Sequence, residues 1–273
     1  QHQGPSPALE PCAEGLNFCE RRGIAGMALA IAATRLTFLV ACGRSEKALV
    51  IAHPLAEKAL AAGDSAIIEV RCVQLSLGVE RGENADAADA EQLVVIARET
   101  GEPQHMAQAY APAARVMVAL GHGERAKTFI EELERTDGTR PDPYYAAVLP
   151  QLVRCVVALD ESPLASSLIV GVEPRTPLQQ HALAACRAVL AEGAGDYASA
   201  APAYAEVAKR WRQFGDVPEL AYALLGQGRC LVALGTPGAA GALSEARELF
   251  SAMGYAPALD ETAALLQRVV ATT

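Results

Sequence analysis

Apolar residues recur every three or four positions along almost the whole chain, in blocks a few turns long separated by short polar or glycine-bearing breaks. That period puts one apolar stripe on an α-helix. It predicts helices at about 7–21, 25–42, 45–62, 65–81, 86–100, 104–120, 123–136, 143–159, 163–170, 178–193, 196–214, 218–234, 238–253 and 257–270. No alternation of period two is sustained. Leu168 to Val172 is rich in β-branched residues but too short and isolated to build a sheet.

The helical blocks repeat. Six of them end alike, at Gly43, Gly78, Gly121, Asp160, Gly193 and Gly235, with intervals of 35, 43, 39, 33 and 42 residues. Each terminal residue reads as the position just past a helix, where glycine tolerates the left-handed conformation that stops it. After each stop come a polar turn, a second apolar block and another break, which makes one helix-turn-helix unit per interval. Ser6, Asp142, Ser162 and Thr176 each precede a proline, the pairing of a capping oxygen with a proline in the first turn.

Composition agrees with this picture. Half of the 273 residues are apolar but only 5% are aromatic, which suits closely packed helices better than strands. The length permits one large domain, two ordinary ones, or a stack of repeats that grows without one expanding core. A formal charge of −9 argues against a partner bound by phosphate neutralisation, whether nucleic acid or an anionic membrane. Charges or glycines interrupt every apolar run before it could span a bilayer, and no leader pattern is visible. Seven cysteines include no Cys-x-x-Cys pair; Cys42, Cys72, Cys155, Cys186 and Cys230 fall in apolar patterns and read as packing residues in a reducing, cytoplasmic setting. Residues 1–6 read as a linker, and the chain as a piece of a longer protein.

Two stretches carry a resemblance. Gly195-Asp196-Tyr197, followed by Ala200 and Tyr204, resembles the middle of a tetratricopeptide repeat, and Gly228 stands where that family places a small residue so that its two helices approach closely. The intervals exceed the family's roughly 34 residues, so the units are TPR-like. Trp211 to Tyr255 is similar to the carboxy-terminal repeats of large bacterial signalling proteins, in which an NTPase module accompanies a nucleotide-cyclase domain or a DNA-binding helix-turn-helix. The resemblance implies an all-α, right-handed solenoid of TPR-like antiparallel helix hairpins over 7–270; the short helical block and the Val-Glu-Pro-Arg-Thr-Pro linker mark an expected flexible point near 162–176. The resemblance also implies a sensor or interaction arm. The chain contains no Gly-x4-Gly-Lys-Ser/Thr loop.

Chemistry is sparse. His2, His53, His105, His122 and His181 lie in different segments, and none has a second His or Cys at the spacing that presents two ligands on one helix face. No nucleophile context is apparent, so neither an enzyme, a metal nor a cofactor is expected. One pattern stands out. Counting back six residues from the last four stops gives Arg115, Arg154, Arg187 and Arg229; the first two repeats have Thr37 and Cys72 there. On the groove-lining face such arginines would recognise an acidic peptide, a carboxylate or a phosphate. Alternatively, each pairs with Glu or Asp on a neighbouring helix. Pro112 and Pro150, shortly before Arg115 and Arg154, mark a groove region that includes Tyr110, Tyr144 and Tyr145, and Pro54 and Pro202 fall inside two other helices.

The expectation is a non-catalytic regulatory protein-interaction module, the arm of a larger bacterial signalling or transcriptional regulator. Its partner would be a protein or peptide, acidic if the arginines are free, or another domain of the parent. The alternative is a small-molecule inducer sensor. An interaction arm requires a long open groove, and a sensor a pocket with converging polar groups.

Overall fold

In the computed structural model, which describes residues 4–83 and 86–272, the chain forms a short 3-10 turn (Ser6–Ala8) and fourteen α-helices. These are α1 (Leu9–Arg22), α2 (Ala25–Ala41), α3 (Ser45–Ala62), α4 (Ala66–Glu80), α5 (Ala87–Thr100), α6 (Pro103–Ala119) and α7 (Gly123–Arg135). The second half holds α8 (Pro143–Ala158), α9 (Ser162–Ser167), α10 (Pro177–Gly193), α11 (Tyr197–Phe214), α12 (Val217–Leu234), α13 (Ala239–Met253) and α14 (Ala256–Thr272). No strand occurs among the described residues, and no helix is long and apolar enough to cross a membrane.

The chain's own stop signals organise this array. Left-handed backbone ends α2 at Gly43, α6 at Gly121, α8 at Asp160 and α12 at Gly235; Asp160 is the one non-glycine residue with positive φ among those described. Two expected stops fall elsewhere. α4 runs through Gly78 and ends before Gly82, and α10 includes Gly193 and ends before Gly195. A glycine that follows Leu77 inside an apolar period costs helix stability without breaking the helix, because its φ need not turn positive there. With Gly82 and Gly195 in place, the six stops stand 39, 39, 39, 35 and 40 residues apart, a more regular period than the letter pattern suggested.

At the helix starts, Asp142 accepts from the Tyr144 N–H, and Thr176 forms a reciprocal capping box with Gln179. Ser162 and Ser6 do not cap. Ser162 is itself the first residue of α9, and Ser6 opens the 3-10 turn. Part of the expected linker is fixed as well: Gly4 and Pro5 are buried, and a Cβ on Gly4 would fall 1.9 Å from the Phe214 carbonyl oxygen at the end of α11. Residues 1–3 lie outside the described residues.

Packing runs between consecutive helices and, in a second series, between alternate ones: α2 on α4, then α6, α8, α10, α12 and α14 in turn. The even-numbered helices therefore form an inner row. That row curls until its late members meet its early ones, with α12 touching α2 and α14 touching α4. Small residues make the close approaches. A Cβ on Gly228 would meet the Leu243 side chain at 2.4 Å, and one on Gly226 the Tyr204 ring at 2.4 Å. Pro54, Pro112, Pro150 and Pro202 all sit inside continuous helices. Cys72, Cys155, Cys186 and Cys230 are buried, Cys42 is half-buried, and all are free thiols.

Between α8 and α10 the pattern thins. α9 has only six residues, and residues 168–176 continue without forming a helix. Side chains satisfy carbonyls there: the Tyr145 hydroxyl donates to Leu168 O at 3.0 Å, and the Arg140 guanidinium donates to the carbonyls of Ser167 and Val170.

Candidate functional site

The curl of the inner row leaves a partly open cavity of about 260 Å³. Its walls come from α2, α4, α6, α8 and the start of α12, with the end of α11, the buried Gly4-Pro5 segment and Tyr255 closing the rest. Counting back six residues from each observed stop gives one interior position per even-numbered helix. The positions are Thr37, Ser76, Arg115, Arg154, Val189 and Arg229. The first four face the cavity, and the last two, with Arg154, face a narrow gap beside it. One register position, repeated, thus contributes a side chain from each even-numbered helix from α2 to α12 to the interior.

The arginines there are paired. Arg115 donates to Glu80 at 2.6 Å and to Gln151 at 3.4 Å. Arg154 forms two bonds with Glu219, at 2.6 and 2.9 Å, and its guanidinium lies 4.4 Å from the centre of the Tyr222 ring. The Tyr222 hydroxyl donates to Glu80, so α4, α6, α8 and α12 are linked through one polar network. Arg229 makes two bonds to Glu192, at 2.6 and 3.0 Å, and a third to Glu261. The Tyr204 hydroxyl also donates to Glu192. Pairing with neighbouring helices, the second of the two expectations, is what these three arginines do. Arg187 is different: it lies exposed on α10, and no hydrogen bond or ion pair holds it among the described residues. It was counted from Gly193, which is not the stop, and the two-residue slip rotates it off the interior face.

The tyrosines divide. Tyr144 lines the cavity. Tyr110 and Tyr145 do not. Tyr110 is fully buried, edge-on to Phe129, and donates to Glu132 at 2.7 Å; Tyr145 is fully buried and turned to the α9 segment. Both carry the apolar stripe of their helices outward, where odd-numbered helices cover it.

Two carboxyl groups that the sequence reading passed over complete the site. Glu69 stands on α4, where burial raises its pKa to about 7; one oxygen is 3.3 Å from the Thr34 hydroxyl, and the other has no partner. A carboxylate set inside the apolar run Ala66-Ile67-Ile68-Glu69-Val70 was the available signal. Asp216 caps α12 by accepting from the Glu219 N–H at 3.1 Å. Burial, followed by the neighbouring Glu219 carboxylate, raises its pKa to about 7 as well. Aromatic surface from Phe38, Trp211, Phe214, Tyr222 and Tyr255 adjoins these groups. The Trp211 indole N–H is buried without a partner. Among the described residues, no group of three or more His, Cys, Asp or Glu comes together to hold a metal ion.

The chain matches no protein-family model, and no curated protein is similar to it in sequence.

Proposed function

We propose that this chain is a small-molecule-binding arm, built as a right-handed solenoid of TPR-like hairpins and serving a larger regulatory protein. The observation that carries this reading is the cavity. The inner row encloses space of the order that small ligands occupy, and polar and aromatic groups from several helices converge on it. An interaction arm that takes an extended peptide needs a clear concave face. Here α12 and the Gly4-Pro5 segment occupy that face, and three of the four arginines expected to read an acidic peptide are held by Glu80, Glu219 and Glu192. The reading assigns no catalytic step to the chain.

Thermal unfolding against a metabolite library and a set of acidic peptides tests this, with Ala147→Trp as control. Ala147 is exposed on α8 and lines the cavity, so an indole there fills the space without displacing a buried residue. The expected result is stabilisation by one or more small molecules that disappears in the filled variant. Stabilisation by peptides alone, unchanged in Ala147→Trp, would return the chain to the interaction-arm reading.

A further inference from the structure

The ligand's charge follows from the balance of charges in the cavity wall. Four carboxyl groups and two guanidiniums line it, and no lysine or histidine does. Each guanidinium is committed: Arg115 to Glu80 and Arg154 to Glu219, at 2.6 Å in both cases. Glu69 and Asp216 are left without a cationic partner at salt-bridge distance. Glu69 receives a long bond from the Thr34 hydroxyl, and Asp216 one backbone N–H and, beyond contact distance, the charge of Arg154, which Glu219 already engages. A buried carboxylate with no cation is costly, and the cost is relieved by a proton or by a bound positive charge. Burial raises the pKa of both groups to about 7, so a proton supplies part of the first remedy at neutral pH. The surrounding wall suits the second, because aromatic side chains such as Tyr144, Trp211 and Phe214 line it, and rings of this kind attract cations and accept an apolar body. An anionic ligand would meet two further carboxyl groups and no free guanidinium. That argues against the acidic ligand expected from the arginine pattern.

We infer that the cavity takes a small organic cation, a protonated amine on an apolar body, with Glu69 and Asp216 supplying its counter-charge. The inference rests on the small-molecule reading above and adds the ligand's chemical class to it.

Calorimetric titration of the whole chain decides the matter. The probes are phenethylamine, tryptamine, hexylamine and 1,5-diaminopentane, each against the alcohol and the carboxylate of matching skeleton. At least one amine is expected to bind about tenfold or more tightly than its alcohol and carboxylate counterparts. Glu69→Gln or Asp216→Asn should reduce that affinity by a similar factor, and Ala147→Trp should abolish it. Both carboxamides are isosteric, and Asn at 216 keeps the helix cap, so a melting curve confirms that these variants fold. Alcohols or carboxylates that bind as tightly as the amines, or amine binding indifferent to both substitutions, would overturn the assignment of charge. If such a neutral or anionic compound is excluded by Ala147→Trp, the small-molecule reading survives that loss. If no compound of any charge binds, both readings fall together.

Discussion

Two families of ion pairs run through the molecule at nearly the same spacing along the chain and in opposite surroundings. Across the odd-numbered outer helices, Arg125 meets Glu91, Arg98 meets Glu132 and Arg212 meets Glu245, at sequence separations of 34, 34 and 33 residues. Inside, Arg115 meets Glu80 at 35 and Arg229 meets Glu192 at 37. The outer partners retain 31–49% of their side-chain surface, whereas Arg115 and Glu80 retain only 13% and 10%, and Arg229 and Glu192 32% and 15%. Stacking one unit on the next supplies that spacing for both sets; the third inner pair, Arg154–Glu219, spans 65 residues and joins α8 to α12. What differs is the solvent, and the solvent decides how much each pair matters.

The largest effect is expected from breaking an inner pair on one side. Arg154→Met leaves Glu219 buried and uncompensated, at a cost of about 3–5 kcal/mol in urea unfolding, whereas Arg154→Met/Glu219→Leu should recover most of that loss. A double variant as unstable as the single one would show that the pair's charge is not the issue. Tyr222→Phe comes next. It removes the donor to buried Glu80 and should cost about 1–3 kcal/mol.

The pH dependence also separates the two faces. Inside, Glu69 and Asp216 hold their protons to about pH 7 when folded and release them at ordinary carboxylate values when unfolded. The folded state therefore binds more protons between those limits, and this contribution to stability falls as pH rises toward 7 and is level above it. Outside, the Arg125 hydrogen bond lowers the pKa of Glu91, so its contribution is lost as pH falls through the acid range. Melting temperatures of wild type and Glu69→Gln should lie closest at pH 5, where native Glu69 is protonated, and separate toward pH 8, with the wild type losing stability relative to the carboxamide as the buried carboxyl ionises. Parallel curves would count against a raised Glu69. The smallest effect belongs to the outer pairs. Arg212→Met should cost under about 1 kcal/mol and respond to salt, and a larger, salt-independent loss would erase the contrast between the faces.

Most of the helix layout was legible because helical period and polar breaks are local properties. All fourteen helices appear within a few residues of the expected bounds. The interior register was legible only where the stop was read correctly. Arg115, Arg154 and Arg229 count from true left-handed stops and face inward; Arg187 counts from a glycine inside the last turn of α10 and does not. Side-chain direction on a helix shifts by about 100° per residue, so two residues suffice to lose the face. The cavity itself was not legible. It depends on Tyr222 reaching Glu80, 142 residues away, and on α12 touching α2, and neither contact has a signature in any window of sequence. Tyr110 and Tyr145 were assigned to the groove by proximity to Arg115 and Arg154 along the chain, which says little about which side of a helix they occupy.

The meeting of α12 with α2 has a consequence for how such a chain could change over time. An array that curls by a fixed step per unit encloses space only when the count of units brings its end back to its beginning. Duplicating or deleting one 39-residue unit would leave every local packing contact available and carry α12 past or short of α2. In this molecule the presence of an interior is a property of arithmetic as much as of side chains, and recombination between repeats would open or abolish it without a single substitution.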